Sequence, residues 1–156
     1  MIQGVLFDMD GLMFDTEPLW GESWAPALEV FGLPFKTGLD QAARCAGGDN
    51  LRAVLRSYYG PDCPAEAIIQ TFDRIAHEKF LAPVPKKPGL DELMDWLDAQ
   101  GIPMAVVSSS GADVIRRNLD NWNLTSRFRA LVSGEMVTRS KPDPEAFLLG
   151  ARALGV

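Results

Sequence analysis

The sequence predicts an α/β protein built on a parallel sheet and interrupted after its first strand by a block of helices. Three observations carry that expectation. Short apolar, β-prone runs recur at QGVLF (3–7), PMAVV (103–107) and ALV (130–132), each the length of a strand buried on both faces. The segment between the second and third, GADVIRRNLDNWN, can place Val114, Ile115, Leu119 and Trp122 on one helical face, which makes the three pieces a βαβ unit. From residue 18 to 81 the apolar positions recur at three and four instead: Trp20, Trp24, Leu28 and Phe31, then Leu51, Val54, Leu55 and Tyr58, then Ile68, Ile69, Phe72, Ile75 and Ala76. That spacing is helical throughout.

The remaining elements follow from punctuation. A helix over about 90–100, with Leu90, Leu93, Met94 and Leu97 on one face and Gly101 as C-cap, leads into the second strand. A last helix over about 143–154 follows the third strand and ends at Gly155. The helical block is bounded by TEP at 16–18 and by the proline-rich APVPKKPG at 82–89, a stiff connector. The expected organisation is therefore a core of residues 1–17 and 82–156 with a helical insertion at 18–81. Trp20, Trp24, Trp96 and Trp122 sit among apolar residues at helical spacing and read as core. His77, the only histidine, has no partner at metal spacing and reads as a surface or boundary residue.

Composition narrows the function. A chain of 156 residues, 47% hydrophobic and carrying a formal charge of −6, has no Lys/Arg cluster to track nucleic acid or anionic lipid. No apolar stretch approaches the roughly 20 residues of a membrane span, and no basic leader precedes the first strand, so the expected location is the cytoplasm. Cys45 and Cys63 are isolated and outside any CxxC pair, which favours two idle thiols over a disulfide framework or a zinc site.

In an open parallel sheet, ligands sit outside the carboxyl ends of the strands. Here the first strand delivers Asp8 and Asp10, the second Ser108, Ser109 and Ser110, and the third leads through SGEMVTRSKP to Lys141. Two carboxylates suit Mg2+, a hard cation that keeps several waters. Hydroxyls, the N–H groups of a helix start near Gly111 and an ammonium suit phosphoryl oxygens. Taken singly, each has a plain reading: Asp10-Gly11 as a turn, SSSG as an N-cap, Lys141 as a solvated charge. A calcium loop starting at Asp8 fails because Leu12 and Phe14 fill two ligand positions. Complementary chemistry at three strand ends in chain order favours a cation-and-phosphate site.

On these residues the sequence resembles the haloacid dehalogenase superfamily of phosphotransferases, and within it the β-phosphoglucomutase-like branch of small sugar-phosphate phosphatases and mutases. FDMDGLMFDTEPL is similar to the first motif, AVVSSS to the second and SGEMVTRSKPDPEAF to the lysine motif. The resemblance implies a Rossmann-like core, incomplete at the C-terminus, with the helical insertion as an α-helical cap that closes over a small phosphorylated substrate. It implies a Mg2+-dependent phosphatase in which Asp8 is the nucleophile that forms an aspartyl-phosphate and Asp10 is the acid/base. Mg2+ would be held by the Asp8 carboxylate and the Asp10 backbone carbonyl, with Ser108, Ser109 and Lys141 on the phosphate. CAGGDN at 45–50 is similar to the family's cap substrate loop, which makes Gly47, Gly48 and Asp49 candidates for the substrate entrance; paired glycines serve equally as plain loop. Glu17, near the first hinge, is a further candidate beside its reading as a helix-start carboxylate. The resemblance also suggests a cis Lys141-Pro142 bond.

The family's final acidic motif, which supplies further Mg2+ ligands, has no counterpart before Val156. The expectation is a half-built metal site and a first strand left at a sheet edge, open to self-association. A non-catalytic remnant that binds phosphate or a partner, and a phosphoglucomutase-type phosphotransferase, stay open as alternatives. Hydrolytic dehalogenation is disfavoured by Asp10, since that chemistry has no leaving alkoxide to protonate. Phosphonate cleavage through a Schiff base has only Lys36 and Lys79 available in the helical block, neither with a supporting context.

Overall fold

The computed structural model describes residues 2–44, 46 and 48–156. The chain divides into two compact units, Met1–Thr16 with Pro83–Val156, and Glu17–Ala82.

The first unit is a parallel sheet of β1 (Val5–Phe7), β2 (Met104–Val107) and β3 (Ala130–Val132), in that order. Leu6 pairs with Ala105, and Val106 with Leu131. All four β2 residues are buried, as the middle strand of a sheet covered on both faces must be. β1 is the outer strand, with β2 its only strand partner among the described residues. β1 is shorter than the apolar run predicts, and a Cβ at Gly4, just before it, would stand 2.9 Å from Leu154 Cδ1.

Three helices serve this sheet: α5 (Leu90–Ala99), α6 (Ala112–Asp120) and α7 (Glu145–Leu154). α7 starts two residues later than the apolar pattern suggests, because Pro142 and Pro144 bracket Asp143 and only Pro144 is placed to open a helix. Its approach to the sheet is close: a Cβ at Gly150 would stand 2.8 Å from Val107 Cγ2 and 3.1 Å from Leu6 Cδ2. Val107, Val132 and Ala146 form the buried seam there.

The second unit holds α1 (Glu17–Glu29), α2 (Leu39–Ala43), α3 (Asp49–Tyr59) and α4 (Ala65–Lys79). Trp24, Ala27, Leu28, Leu39, Leu55, Ile68 and Phe72 are its core. Trp24 stacks on Phe72 with ring centroids 3.9 Å apart, and Trp20 lies over Phe72 and Phe80. Pro26 lies inside α1; the loss of one backbone bond there is outweighed by burial of Trp24, Ala27 and Leu28 around it. His77 is half-buried on α4, and Cys63 is a half-buried free thiol, while Cys45 lies outside the described residues.

Two of the four tryptophans are not core. Trp96 is 52% and Trp122 37% exposed. On α5 the buried face runs Leu90, Met94, Leu97, whose spacing of four and three excludes Leu93 and Trp96; those two form a separate outward stripe. Trp122 falls beyond the end of α6, where its Nε1 donates to the Val84 carbonyl at 2.8 Å and its ring lies under Lys86. Among the described residues no helix is long and apolar enough to cross a membrane.

The tight seat of α7 gives a stability expectation. Gly150→Ala gains about 1 kcal/mol of helix propensity against an overpacking cost of about 1–3 kcal/mol, a net loss of about 1 kcal/mol; Gly150→Leu should lose considerably more. Urea unfolding of the two variants checks the order, and a stabilised Gly150→Leu would contradict the packing described.

Candidate functional site

The turn after β1 is shaped by what it buries. Met9, Met13 and Phe14 are fully buried, and the Met9 carbonyl accepts the N–H groups of Leu12, Met13 and Phe14. Successive side chains of an extended segment alternate, so sinking Met9 leaves Asp8 and Asp10 together on the other side. Gly11, at φ +72°, makes the reversal; its N–H donates to the Phe14 carbonyl at 2.9 Å and to Thr16 Oγ1 at 3.2 Å.

Asp8 and Asp10 each meet a different strand end. Lys141 Nζ lies 2.9 Å from Asp8 Oδ1 and donates also to the Val107 carbonyl at 3.0 Å. The Met9 N–H donates to the same Asp8 oxygen at 3.0 Å. Ser108 Oγ, on a fully buried residue, donates to Asp10 Oδ2 at 3.1 Å, and Ser110 Oγ to that oxygen at 2.7 Å. The Ser110 N–H donates to Ser108 Oγ at 3.0 Å, which locks the two hydroxyls to each other. A cation is thus held against one carboxylate and two hydroxyls against the other. The Lys141-Pro142 bond is cis.

The hydroxyl that joins Ser108 on Asp10 is that of Ser110, not Ser109. Ser109 is exposed, and its carbonyl lies against the turn Gly134–Met136 so closely that a Cβ on Gly134 would stand 2.2 Å from it. Strand alternation continued past Val107 puts Ser108 and Ser110 on one side and Ser109 on the other; that signal was present in the sequence and points to Ser110. The start of α6 also differs from expectation. The Ala112 N–H is taken by Glu135 Oε2 at 3.1 Å, so a protein carboxylate occupies part of the helix-start position expected to receive phosphate.

The candidates in the helical unit have local partners. Glu17 opens α1 and pairs with Arg44 at 2.6 Å. Gly48, at φ +53°, precedes α3, and Asp49, the first residue of α3, pairs with Arg52 at 2.9 Å. Gly47 lies outside the described residues.

As metal donors, Asp8 and Asp10 are of the right kind for Mg2+, whose shell commonly takes one or two carboxylates and is completed by phosphate oxygens and water. Among the described residues, no group of three or more His, Cys, Asp or Glu side chains stands together as a metal site. The Asp8 carboxylate and the Asp10 backbone carbonyl could fill the protein's share of such a shell.

Comparison with known proteins identifies the family. The family model for haloacid dehalogenase-like hydrolases matches residues 5–156, and the chain belongs to that family. It is 28% identical to the phosphorylated carbohydrates phosphatase of Thermotoga maritima over 99% of this chain and 72% of that protein. It is 30% identical to hexitol phosphatase A of Escherichia coli over 99% of this chain and 69% of that protein. The crystal structure of β-phosphoglucomutase from Clostridium difficile superposes with a TM-score of 0.85 at 18% identity, covering 100% of this chain and 72% of that one, a likeness of fold.

The contact of Gly134 with the serine loop is testable. Gly134→Ala places a methyl against a backbone oxygen that has no rotamer to escape into, and should break the 3.1 Å bond from Gly134 N–H to the Ser110 carbonyl. A loss of about 2–3 kcal/mol is expected, with amide resonances of Ser109 and Ser110 displaced; a variant with the wild-type melting temperature and spectrum would refute the contact.

Proposed function

We propose that this protein is a Mg2+-dependent phosphatase of a small phosphorylated metabolite, a sugar phosphate in the first instance, working through an aspartyl-phosphate on Asp8. The observation that carries the reading is the convergence of Asp8, Asp10, Ser108 and Lys141 from three strand ends, with Lys141 Nζ 2.9 Å from Asp8 and Ser108 Oγ 3.1 Å from Asp10. The names of the relatives support the substrate class.

An Asp8 carboxylate oxygen attacks phosphorus and the bond to the sugar oxygen breaks, leaving the phosphoryl group on Asp8. Asp10 gives its proton to the departing alkoxide and then takes one from the water that attacks the aspartyl-phosphate. Inorganic phosphate leaves and Asp8 is regenerated. Splitting the displacement replaces one difficult step by two easier ones, and one carboxyl serves as acid and then base. Ser108 and Ser110, both bonded to Asp10 Oδ2, fix the orientation in which that carboxyl works. Lys141 sits where charge accumulates on the phosphoryl oxygens and offsets it without having to move. The Asp8 carboxylate and the Asp10 backbone carbonyl would hold Mg2+, which supplies further neutralisation of the negative charge on the transferring group. On the same reading the helical unit is the cap, Glu17, Gly47, Gly48 and Asp49 belong to its substrate-facing part, Ser109 assists phosphate through its backbone N–H, and the protein works in the cytoplasm.

With Mg2+ and a panel of sugar phosphates, phosphate release by the folded chain is expected, with Asp8→Asn slower by at least about a thousandfold. Lys141→Ala should lower turnover and weaken substrate binding together, by about 10²-fold in kcat/KM. Absence of Mg2+-dependent phosphate release, or hydrolysis that survives in Asp8→Asn, would reject the proposal.

A further inference from the structure

The segment that delivers Lys141 is held by a carboxylate that the reaction itself does not use. Glu145, the first residue of α7, reaches back over the loop: its Oε1 accepts the Thr138 N–H at 3.0 Å and its Oε2 accepts the Arg139 N–H at 2.9 Å. Thr138 Oγ1 adds bonds to both oxygens, at 3.2 and 3.0 Å. Arg139 Nε stands 3.6 Å away. The loop is closed from its other side as well, by the Asp143 N–H on the Ser140 carbonyl at 3.1 Å and by Asp143 Oδ1 accepting the Glu145 N–H at 3.0 Å, while Asp143 Oδ2 pairs with Arg139 at 3.1 Å. Lys141 lies inside this closed segment, and its ammonium must span from there to Asp8 and the Val107 carbonyl.

We propose that Glu145 is the positioning residue for Lys141: by tying the backbone at 138–139 to α7, which is itself seated on the sheet, it holds the lysine at the distance at which its ammonium meets Asp8 and a phosphoryl group. The proposal rests on the reading of Lys141 as the phosphoryl partner. Each carboxylate oxygen is aimed at a separate backbone N–H, a use of charge that a merely solvated helix-start glutamate has no need of. The two N–H groups, Thr138 first, hold the Glu145 carboxyl below its ordinary range, so near neutral pH it is ionised and accepts on both oxygens.

Glu145→Gln is the incisive variant. It preserves size, but its amide has one acceptor oxygen and cannot serve both N–H groups. The experiment is a double-mutant cycle in the full chain with Mg2+, titrating inorganic phosphate by calorimetry into wild type, Glu145→Gln, Lys141→Met and the double variant, with thermal unfolding alongside. Glu145→Gln should weaken phosphate binding roughly tenfold, the scale on which a group that orients a ligand-contacting residue acts, and should weaken it no further once Lys141 is Met. Thr138→Val, which removes only the hydroxyl bonds, should show a smaller effect of the same pattern and stands in if Glu145→Gln does not fold. An equal loss with and without Lys141, or a lowered melting temperature with unchanged phosphate affinity, would overturn the positioning role while leaving Lys141 as the phosphoryl partner. Unchanged affinity in Lys141→Met would instead remove that reading of Lys141, and this inference with it.

Discussion

The contact on which the site depends is the Lys141 ammonium, placed between Asp8 Oδ1 at 2.9 Å and the Val107 carbonyl at 3.0 Å. Its side chain is 14% exposed, and a cation so far from water is tolerable only against an opposite charge and with its donors used. That requirement joins three strand ends: the segment after β3 must cross the end of β2 to reach the end of β1. α7 follows from the same constraint. It leaves the lysine loop and descends onto the sheet, and a glycine at 150 lets it come within contact of Val107 and Leu6.

Asp10 is handled by a different device. Neutral hydroxyls from Ser108 and Ser110 meet it on one oxygen, and their loop is pressed from behind by Gly134. Of two aspartates two residues apart, Asp8 meets the Lys141 ammonium and Asp10 accepts from two hydroxyls. Glu135 engages one backbone donor of this region, the Ala112 N–H at the start of α6.

Much of this was legible in the chain. Apolar runs at 5–7, 104–107 and 130–132 are strands because a buried parallel sheet tolerates little else there, and the helical spacing after residue 17 marks a unit with a core of its own. Asp8, Asp10, Ser108 and Lys141 could be named because each follows a strand at the ligand-binding end. Trp96 and Trp122 could not be placed by spacing, since a tryptophan beside an apolar stripe satisfies the pattern whether it turns in or out. The choice between Ser109 and Ser110 was also open to composition, and only the alternation of the extended chain distinguishes them.

The sequence by itself determined which chemical groups arrive at the sheet's carboxyl end and in what order, because strand position and alternation are local properties. Tertiary structure alone decided the pairing: Lys141 with Asp8 across 133 residues, Ser108 and Ser110 with Asp10 across about a hundred, Glu145 with the loop before the lysine, and Glu135 with the first turn of α6. Those pairings depend on strand order and on how closely α7 and the Gly134 turn approach the sheet. Such distances are set by packing among segments far apart in the chain, and no window of the sequence contains them.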